Sequence, residues 1–109
     1  MDVDPGLDEA EFNRWYDEEH VAERMRCPGF ISASRFRSVE GSPRYLAVYE
    51  LAGPEALLTP EYLALPSRAR KNLGPNPSEL TERMLEGIRS VARNVYSEIY
   101  FAEGEQPAL

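Results

Sequence analysis

Two neighbouring segments in the first half of the chain alternate in side-chain type with a period of two residues. The first reads FISASRFRSV over residues 30–39, and the second reads RYLAVYEL over residues 44–51. Aromatic and β-branched residues in such alternation are typical of β-strands, whose successive side chains point to opposite faces. Gly41-Ser42-Pro43 between them favours a reversal, so we predict an antiparallel hairpin. One face of the second strand carries Tyr45, Ala47, Tyr49 and Leu51, and the other carries Leu46, Val48 and Glu50.

An amphipathic helix is predicted before this hairpin. Asp8 followed by Glu11 has the spacing of a helix N-cap with an acidic residue at its third position. Phe12, Trp15 and Tyr16 then recur at steps of three and four residues, which gives an apolar stripe. The helix must end before Pro28-Gly29, a dipeptide typical of turns.

The second half of the chain contains weaker signals. Two small helical pieces are predicted after Gly53-Pro54, and a surface loop is predicted from Pro66 to Pro77. Ser78 is suited to cap a further helix. That helix has an apolar stripe of Leu80, Met84, Ile88 and Val91, and a last strand is predicted from about Asn94 to Phe101.

The predicted element order is α, β, β, α, β within a single domain that spans residues 1–109. This α+β arrangement gives a three-stranded antiparallel sheet with helices on one face. Apolar and aromatic residues on both faces of the strands indicate that the other face is covered as well. A second copy that packs sheet against sheet in a homodimer is the simplest cover.

Charge and composition exclude several classes of partner and site. The net charge of −7 repels nucleic acid and anionic membranes, so neither is expected as a partner. Cys27 is the only cysteine, which excludes an internal disulfide and fits a cytoplasmic protein. We expect no metal site, because there is one histidine and no clustered ligand set, and no cofactor, because no phosphate-binding glycine motif is present.

Three polar residues lie along one flank of the predicted first helix. With about 100° of rotation per residue, Asn13, Tyr16 and His20 are stacked beside the apolar stripe. His20 is the candidate general acid or base, Tyr16 a hydrogen-bond donor to a substrate oxygen, and Asn13 an orienting group. The alternative for His20 is a structural role as the charged partner of nearby carboxylates or of the helix dipole.

Further candidates each have a structural alternative. Trp15 either stacks on a substrate or packs in the core. Tyr45 and Tyr49 share a strand face, where they either line a pocket or form cross-strand packing contacts. Arg35, with Arg37 on the same side of its strand, either meets an anionic substrate, lies along the dimer edge or pairs with acidic residues. Arg68, Arg70 and Lys71 in the loop form either a solvated surface or a lid over an acidic ligand.

Several of these segments resemble the EthD-like branch of the dimeric α/β barrel superfamily. The resemblance is carried by EFNRWYDEEHVAERMRCPGF, SASRFR and RYLAVYEL. It implies a ferredoxin-like β-α-β-β-α-β fold, a barrel formed across a dimer, and a small-molecule pocket between helix and sheet. Only MDVDPGL precedes Asp8, so the first strand of that fold is expected to be short or missing.

The resemblance and the helix flank together give three hypotheses on function. The first is a cofactor-independent enzyme that uses proton transfer on a hydrophobic, aromatic or polyketide-like substrate, as an isomerase, cyclase, dehydratase or other lyase. The second is a cofactor-free monooxygenase in the same pocket. The third is a non-catalytic dimer that binds a ligand or acts as a scaffold.

Overall fold

A computed structural model describes residues 1–105 of the chain, and it has an α+β fold with two small antiparallel sheets. We number strands and α-helices in chain order. The elements are β1 (Asp2–Val3), α1 (Glu9–Trp15), a π-helical turn (Tyr16–His20), α2 (Val21–Met25), β2 (Phe30–Arg37), β3 (Tyr45–Leu51), a 3-10 helix (Pro54–Leu58), α3 (Pro60–Leu63), α4 (Glu79–Glu86) and β4 (Ile88–Arg89).

The first helical stretch begins at the predicted position. Asp8 is the N-cap, and its carboxylate accepts hydrogen bonds from the amides of Ala10 at 2.9 Å and Glu11 at 3.2 Å. The stretch ends at Met25, before Pro28, as predicted. The prediction missed the π-helical turn in its middle, where the backbone amide that follows the turn donates to the carbonyl five residues earlier.

The predicted hairpin is confirmed. β2 and β3 pair antiparallel, with Arg35 opposite Ala47 and Phe36 opposite Leu46. On the inner face Tyr45 is buried, whereas Leu46 on the outer face remains 56% exposed. The alternation in the sequence therefore identifies the two faces correctly. Their outer face carries the exposed apolar side chains of Phe36, Leu46 and Val48.

A second small sheet joins the N-terminal segment to the residues that follow α4. β1 and β4 pair antiparallel, with Val3 opposite Ile88. The first strand is thus present and short. The Met1 amino group donates to the Tyr45 carbonyl at 2.8 Å, and the Tyr45 amide donates to the Met1 carbonyl at 2.9 Å. The N-terminal segment therefore lies beside both β3 and β4. Because β1 and β4 are two residues long, the two pairs do not merge into the predicted three-stranded sheet.

The predicted end of the chain is wrong in two respects. Helix α4 is capped by Ser78, as expected, but ends at Glu86, so Ile88 lies on β4 and Val91 is exposed. The predicted strand from Asn94 to Phe101 has no regular secondary structure. A strand requires a neighbour for its backbone hydrogen bonds, and within residues 1–105 this segment pairs with none. Its alternating apolar side chains are accordingly exposed.

The connection between the hairpin and α4 follows the prediction. The 3-10 helix and α3 are the two expected helical pieces, separated at Thr59, whose hydroxyl accepts a hydrogen bond from the amide of Tyr62. The loop from Pro66 to Pro77 contains one isolated bridge, between Ser67 and Asn72. No helix in the described part of the chain is long and apolar enough to cross a membrane.

The core lies between the first helical stretch, β3 and α4. Phe12 and Met84 are fully buried at its centre. The Phe12 ring lies 5.6 Å from the Tyr16 ring and 5.9 Å from the Tyr45 ring, measured between centroids. The apolar stripe predicted from helical periodicity therefore faces the core. The whole buried cluster consists of Phe12, Trp15, Tyr16, Tyr45, Met84, Leu85 and Ile88.

Candidate functional site

The structure brings two of the three helix-flank candidates into contact and places the third, Asn13, in a neighbouring hydrogen-bonded group that shares Arg35. The ring of His20 lies 4.7 Å from that of Tyr16, measured between centroids, and both residues are buried. The Asn13 side chain forms hydrogen bonds with Arg35 and Tyr45. The π-helical turn that starts at Tyr16 contains an additional residue, which changes the direction of the side chains after it.

The His20 imidazole is enclosed by aromatic rings and a buried arginine. The Trp15 ring lies 4.8 Å from it, and Nη1 of Arg24 lies 3.4 Å from Nδ1. Burial, followed by the positive charges of Arg24 and Arg35, lowers the His20 pKa from 6.5 to about 2. The imidazole is therefore neutral at physiological pH. A guanidinium only donates, so Nδ1 acts as the acceptor toward it and the ring proton lies on Nε2.

Arg24 is itself fixed by backbone carbonyls. Its Nη2 donates to the carbonyl of Pro66 at 2.7 Å, and its Nη1 donates to the carbonyl of His20 at 3.3 Å. The side chain thus ties the first helical stretch to the start of the 66–77 loop. Since it is only 6% exposed, its charge acts on the site with little screening by solvent.

The Tyr16 phenol lies beside the imidazole, and the Tyr49 phenol lies near Tyr16. Burial raises the pKa of Tyr16, against the opposing charges of Arg24 and Arg35. Burial also raises the pKa of Tyr49, and the neighbouring Tyr16 phenol adds to that shift. Both hydroxyls therefore stay protonated near neutral pH. They are close enough to influence each other, but the Tyr49 hydroxyl is buried and has no hydrogen-bond partner within residues 1–105.

Asn13, Arg35 and Tyr45 form a polar chain along the edge of this site. Arg35 donates to Asp17 at 2.7 Å and to the Asn13 side-chain oxygen at 2.9 Å. Asn13 in turn donates to the Tyr45 hydroxyl at 3.1 Å, and that hydroxyl donates to Glu9. The Tyr45 hydrogen bond is the largest cause that lowers the Glu9 pKa. This chain holds the helix to the hairpin and fixes the guanidinium.

Arg35 also faces the aromatic cluster. Its guanidinium carbon lies 4.2 Å from the centroid of the Tyr16 ring, within cation–π distance. The side chain is 16% exposed and so contacts both the protein interior and solvent. Of the two arginines predicted on this strand side, Arg35 belongs to the site, whereas Arg37 is exposed.

The sequence prediction missed Arg24 and Glu9 as members of these two groups. Each is four residues from a predicted site residue, Arg24 after His20 and Glu9 before Asn13. Side chains at this spacing meet on a helix. The same helical periodicity that selected His20 and Asn13 was therefore a signal that could have found both.

Trp15 and Cys27 are both buried. The Trp15 indole donates to the Thr81 hydroxyl at 3.1 Å, which links the first helix to α4. The outer edge of Trp15 lines a shallow cleft of about 460 Å³ together with Glu18 and Leu80. Burial is the main cause that raises the Cys27 pKa, so its thiol is not activated as a thiolate.

The assembled side chains are suited to stabilising negative charge on a bound oxygen atom. Neutral His20 and protonated Tyr16 and Tyr49 are hydrogen-bond donors, and two guanidinium groups lie beside them. Such fixed donors in a poorly solvated site interact strongly with a developing oxyanion. In the described part of the chain, no cluster of His, Cys, Asp and Glu is arranged to hold a metal ion.

Comparisons with protein-family models, with curated protein sequences and with solved structures found no match to this chain.

Proposed function

We propose that this domain binds a small hydrophobic molecule between its first helical stretch and the hairpin, and that it catalyses a cofactor-independent proton transfer there. Isomerisation, cyclisation and dehydration of an aromatic or polyketide-like compound all pass through such a step. His20, Tyr16 and Asn13 form the catalytic group in this proposal. The side chains that bind the substrate are Trp15, Arg35, Tyr45 and Tyr49.

The buried hydroxyl of Tyr49 is the observation that carries this proposal. A buried polar atom without a partner costs free energy, typically about 1–3 kcal/mol. Among the described residues, this hydroxyl forms no hydrogen bond of normal geometry, although the Tyr16 hydroxyl lies near enough to shift its pKa. A carbonyl, enol or phenol oxygen of a substrate would provide the missing partner, and the adjacent Tyr16 hydroxyl would contact the same oxygen.

The charges of the site assign a role to His20 that differs from that of a typical histidine base. Since Arg24 and Arg35 oppose a second proton, the neutral imidazole donates a hydrogen bond from Nε2 to the substrate oxygen. A water molecule or hydroxide ion from the solvent accepts the proton that leaves the neighbouring carbon, and the same cations stabilise the enolate-like oxygen that forms. Asn13 acts through Arg35, whose position it fixes.

We also propose that the fold is ferredoxin-like and that the domain forms a homodimer. Met1 lies beside β3, and β1 pairs with β4, so the neighbour relations follow the strand order β4-β1-β3-β2 of that fold. The outer face of the hairpin provides an apolar surface. Leu46 is 56% and Phe36 52% exposed on it, and a second copy is the proposed cover.

A non-catalytic ligand-binding or scaffold role is the second candidate. It is favoured by the internal hydrogen bonds of Asn13 and Arg35, which are already made without a ligand. A monooxygenase reaction in the same site remains the third hypothesis, and oxygen uptake during turnover would distinguish it from proton transfer.

A chromogenic nitrophenol tests the oxyanion site directly, because its absorbance distinguishes phenol from phenolate. The site should favour the phenolate and lower the pKa of the bound nitrophenol by about one unit, which corresponds to about 1.4 kcal/mol. Tyr49→Phe should remove most of this shift. Tyr100→Phe, at a tyrosine that is 81% exposed, is the matched control. An unshifted nitrophenol, or equal shifts in the two variants, would contradict the proposal.

A further inference from the structure

A cleft of about 560 Å³ lies on another part of the surface, between the 66–77 loop and the segment that starts at β4. We call it the cationic cleft. It is lined by five basic side chains, those of Arg68, Arg70, Lys71, Arg89 and Arg93, and no acidic residue lines it. His20, Tyr16 and Tyr49 do not line it, so it is separate from the site of the proposed function.

Positive charge is concentrated in this cleft although the chain as a whole is acidic. Five of the twelve basic residues line it, although the net charge is −7. Like charges brought together repel one another unless an anion lies between them. Since the rest of the surface is acidic, the positive potential is confined to the cleft.

Two of the five cations already have partners. Arg89 forms a salt bridge with Asp4 at 2.8 Å. Arg70 donates to the carbonyls of Tyr62 at 3.2 Å and Leu65 at 3.1 Å, and thereby fixes the loop. Its Nε is buried and lacks an acceptor in the described part of the chain. Arg70 and Arg89 are thus each held by a contact within the protein.

The other three cations are free of carboxylate partners. Within residues 1–105, Arg68, Lys71 and Arg93 form no salt bridge. Arg93 has only a 3.4 Å contact with the Tyr62 hydroxyl. These three side chains are available to bind an anion that enters the cleft.

The backbone on both walls adopts an uncommon conformation. Lys71 on the loop and Ser90 after β4 each have a φ of 54°, in the left-handed region that residues other than glycine rarely occupy. Such strained residues concentrate at binding sites, where the surrounding structure holds them. Here they place one cation and one hydroxyl-bearing residue on opposite sides of the cleft.

We propose that the cationic cleft binds a small organic anion that carries a phosphate or carboxylate group on an apolar body. Ile88 and Val91 provide apolar contacts, and the volume is within the usual range for small-molecule sites. A long polyanion would extend over the acidic surface around the cleft, so the charge distribution favours a ligand that fits within it. This inference is independent of the proposed function.

The test uses 1-naphthyl phosphate, with 1-naphthol and inorganic phosphate as probes that each lack one of its two features. Isothermal titration calorimetry on the full chain should show tighter binding of 1-naphthyl phosphate than of either comparison probe. Arg68→Ala/Lys71→Ala should weaken that binding by about tenfold or more, because charge-assisted hydrogen bonds are lost. Arg70 is left unchanged because it holds the loop.

Arg26→Ala/Arg37→Ala is the matched control, since it removes two exposed arginines that form no salt bridge within the described chain. Its affinity should equal that of the unmodified chain. Equal weakening in both double variants, or no binding of 1-naphthyl phosphate at millimolar concentration, overturns the proposal.

If circular dichroism shows that Arg68→Ala/Lys71→Ala does not fold, Arg93→Ala takes its place with the same expected loss, since Arg93 lies in the exposed segment after β4. Cosedimentation with phosphatidic acid vesicles tests a lipid headgroup as the source of phosphate, and binding to vesicles alone also overturns the proposal.

Discussion

At the scale of single residues, the environment of His20 determines its chemistry. The sequence predicted His20 on a polar helix flank. Its structural alternative there, as a partner of nearby carboxylates or of the helix dipole, required a positively charged imidazole. The structure instead encloses the ring between Trp15 and Tyr16 and places Arg24 against it. Burial and positive charge both oppose protonation, so the side chain is neutral. It can therefore donate a hydrogen bond from Nε2, and it does not act as a cation.

The depressed pKa of His20 predicts how stability depends on pH. Between pH 6.5 and about pH 2, the unfolded chain binds a proton at this residue and the folded chain does not. The contribution is therefore fully present above pH 6.5 and decreases as the pH falls. Lowering the pH from about 7.5 to about 5.5 should reduce the free energy of unfolding by about 1.4 kcal/mol through His20 alone.

Urea denaturation of the unmodified chain and of His20→Gln at both pH values measures this contribution. His20 is the only histidine, so the difference between the two pH dependences isolates it from the carboxylates. Equal pH dependences in the two proteins would show that the folded imidazole titrates normally.

At the scale of elements, the predictions succeeded where the signal was local and failed where it depended on a partner. Asp8 and Ser78 cap helices as their residue types suggest, and the hairpin has the predicted faces. The Asn94–Phe101 segment has the alternation of a strand but no neighbour within the described chain. Alternating side chains show that a segment could belong to a sheet. It becomes a strand only when a neighbouring strand is present to form backbone hydrogen bonds with it.

The π-helical turn could not be predicted for a related reason. Residues 16–20 carry no glycine or proline that would mark an irregularity. The wider turn arises from packing, since it buries Tyr16 and His20 together against Trp15. Such turns are frequent at functional sites. A prediction that assumes a regular helix therefore could not give the direction of the His20 side chain.

Deleting Glu18 tests the role of this turn. Glu18 is exposed, and removing one residue should convert the turn to regular α-helix and rotate His20 by about 100° relative to Tyr16. The imidazole should then leave its aromatic enclosure, so its pKa should rise toward 6.5. An NMR titration of the single histidine measures the change, with far-UV circular dichroism to verify the helix. Glu18→Ala keeps the chain length and should keep the low pKa. A low pKa in the deletion variant would contradict this role.

At the scale of the whole molecule, the exposed apolar surfaces indicate how two copies would meet. Phe36, Leu46 and Val48 cover the outer face of the hairpin, and Ile99, in the segment after β4, is 96% exposed. Neither surface finds a cover within residues 1–105. The sequence already indicated an apolar sheet face that needs a cover, and this is the part of the proposed dimer that could be predicted. The arrangement of the two copies depends on contacts between them, which the sequence of one copy does not give.

Leu46→Lys/Val48→Lys tests the dimer. Two charges on the outer hairpin face should raise the dimer dissociation constant by at least about tenfold, because each would be buried or repelled at the interface. Native mass spectrometry and sedimentation velocity measure the mass at several concentrations. Leu58→Lys, on a 72% exposed side chain outside the hairpin, is the control and should leave the mass unchanged. A monomeric unmodified chain, or a dimer that survives both lysines, would contradict the proposal.

The central claim is that His20, Tyr16 and Tyr49 stabilise an oxyanion during proton transfer, and hydrogen–deuterium exchange tests it without knowledge of the natural substrate. Enolisable aromatic ketones are incubated with the protein in D₂O, and the signal of the protons beside the carbonyl is followed by NMR. For a ketone that binds, the unmodified chain should exchange these protons faster than buffer does. Tyr49→Phe should slow the catalysed exchange by roughly 10²-fold, as expected for the loss of one oxyanion donor, and Tyr100→Phe should not. Exchange at the buffer rate for every ketone that binds would contradict the account.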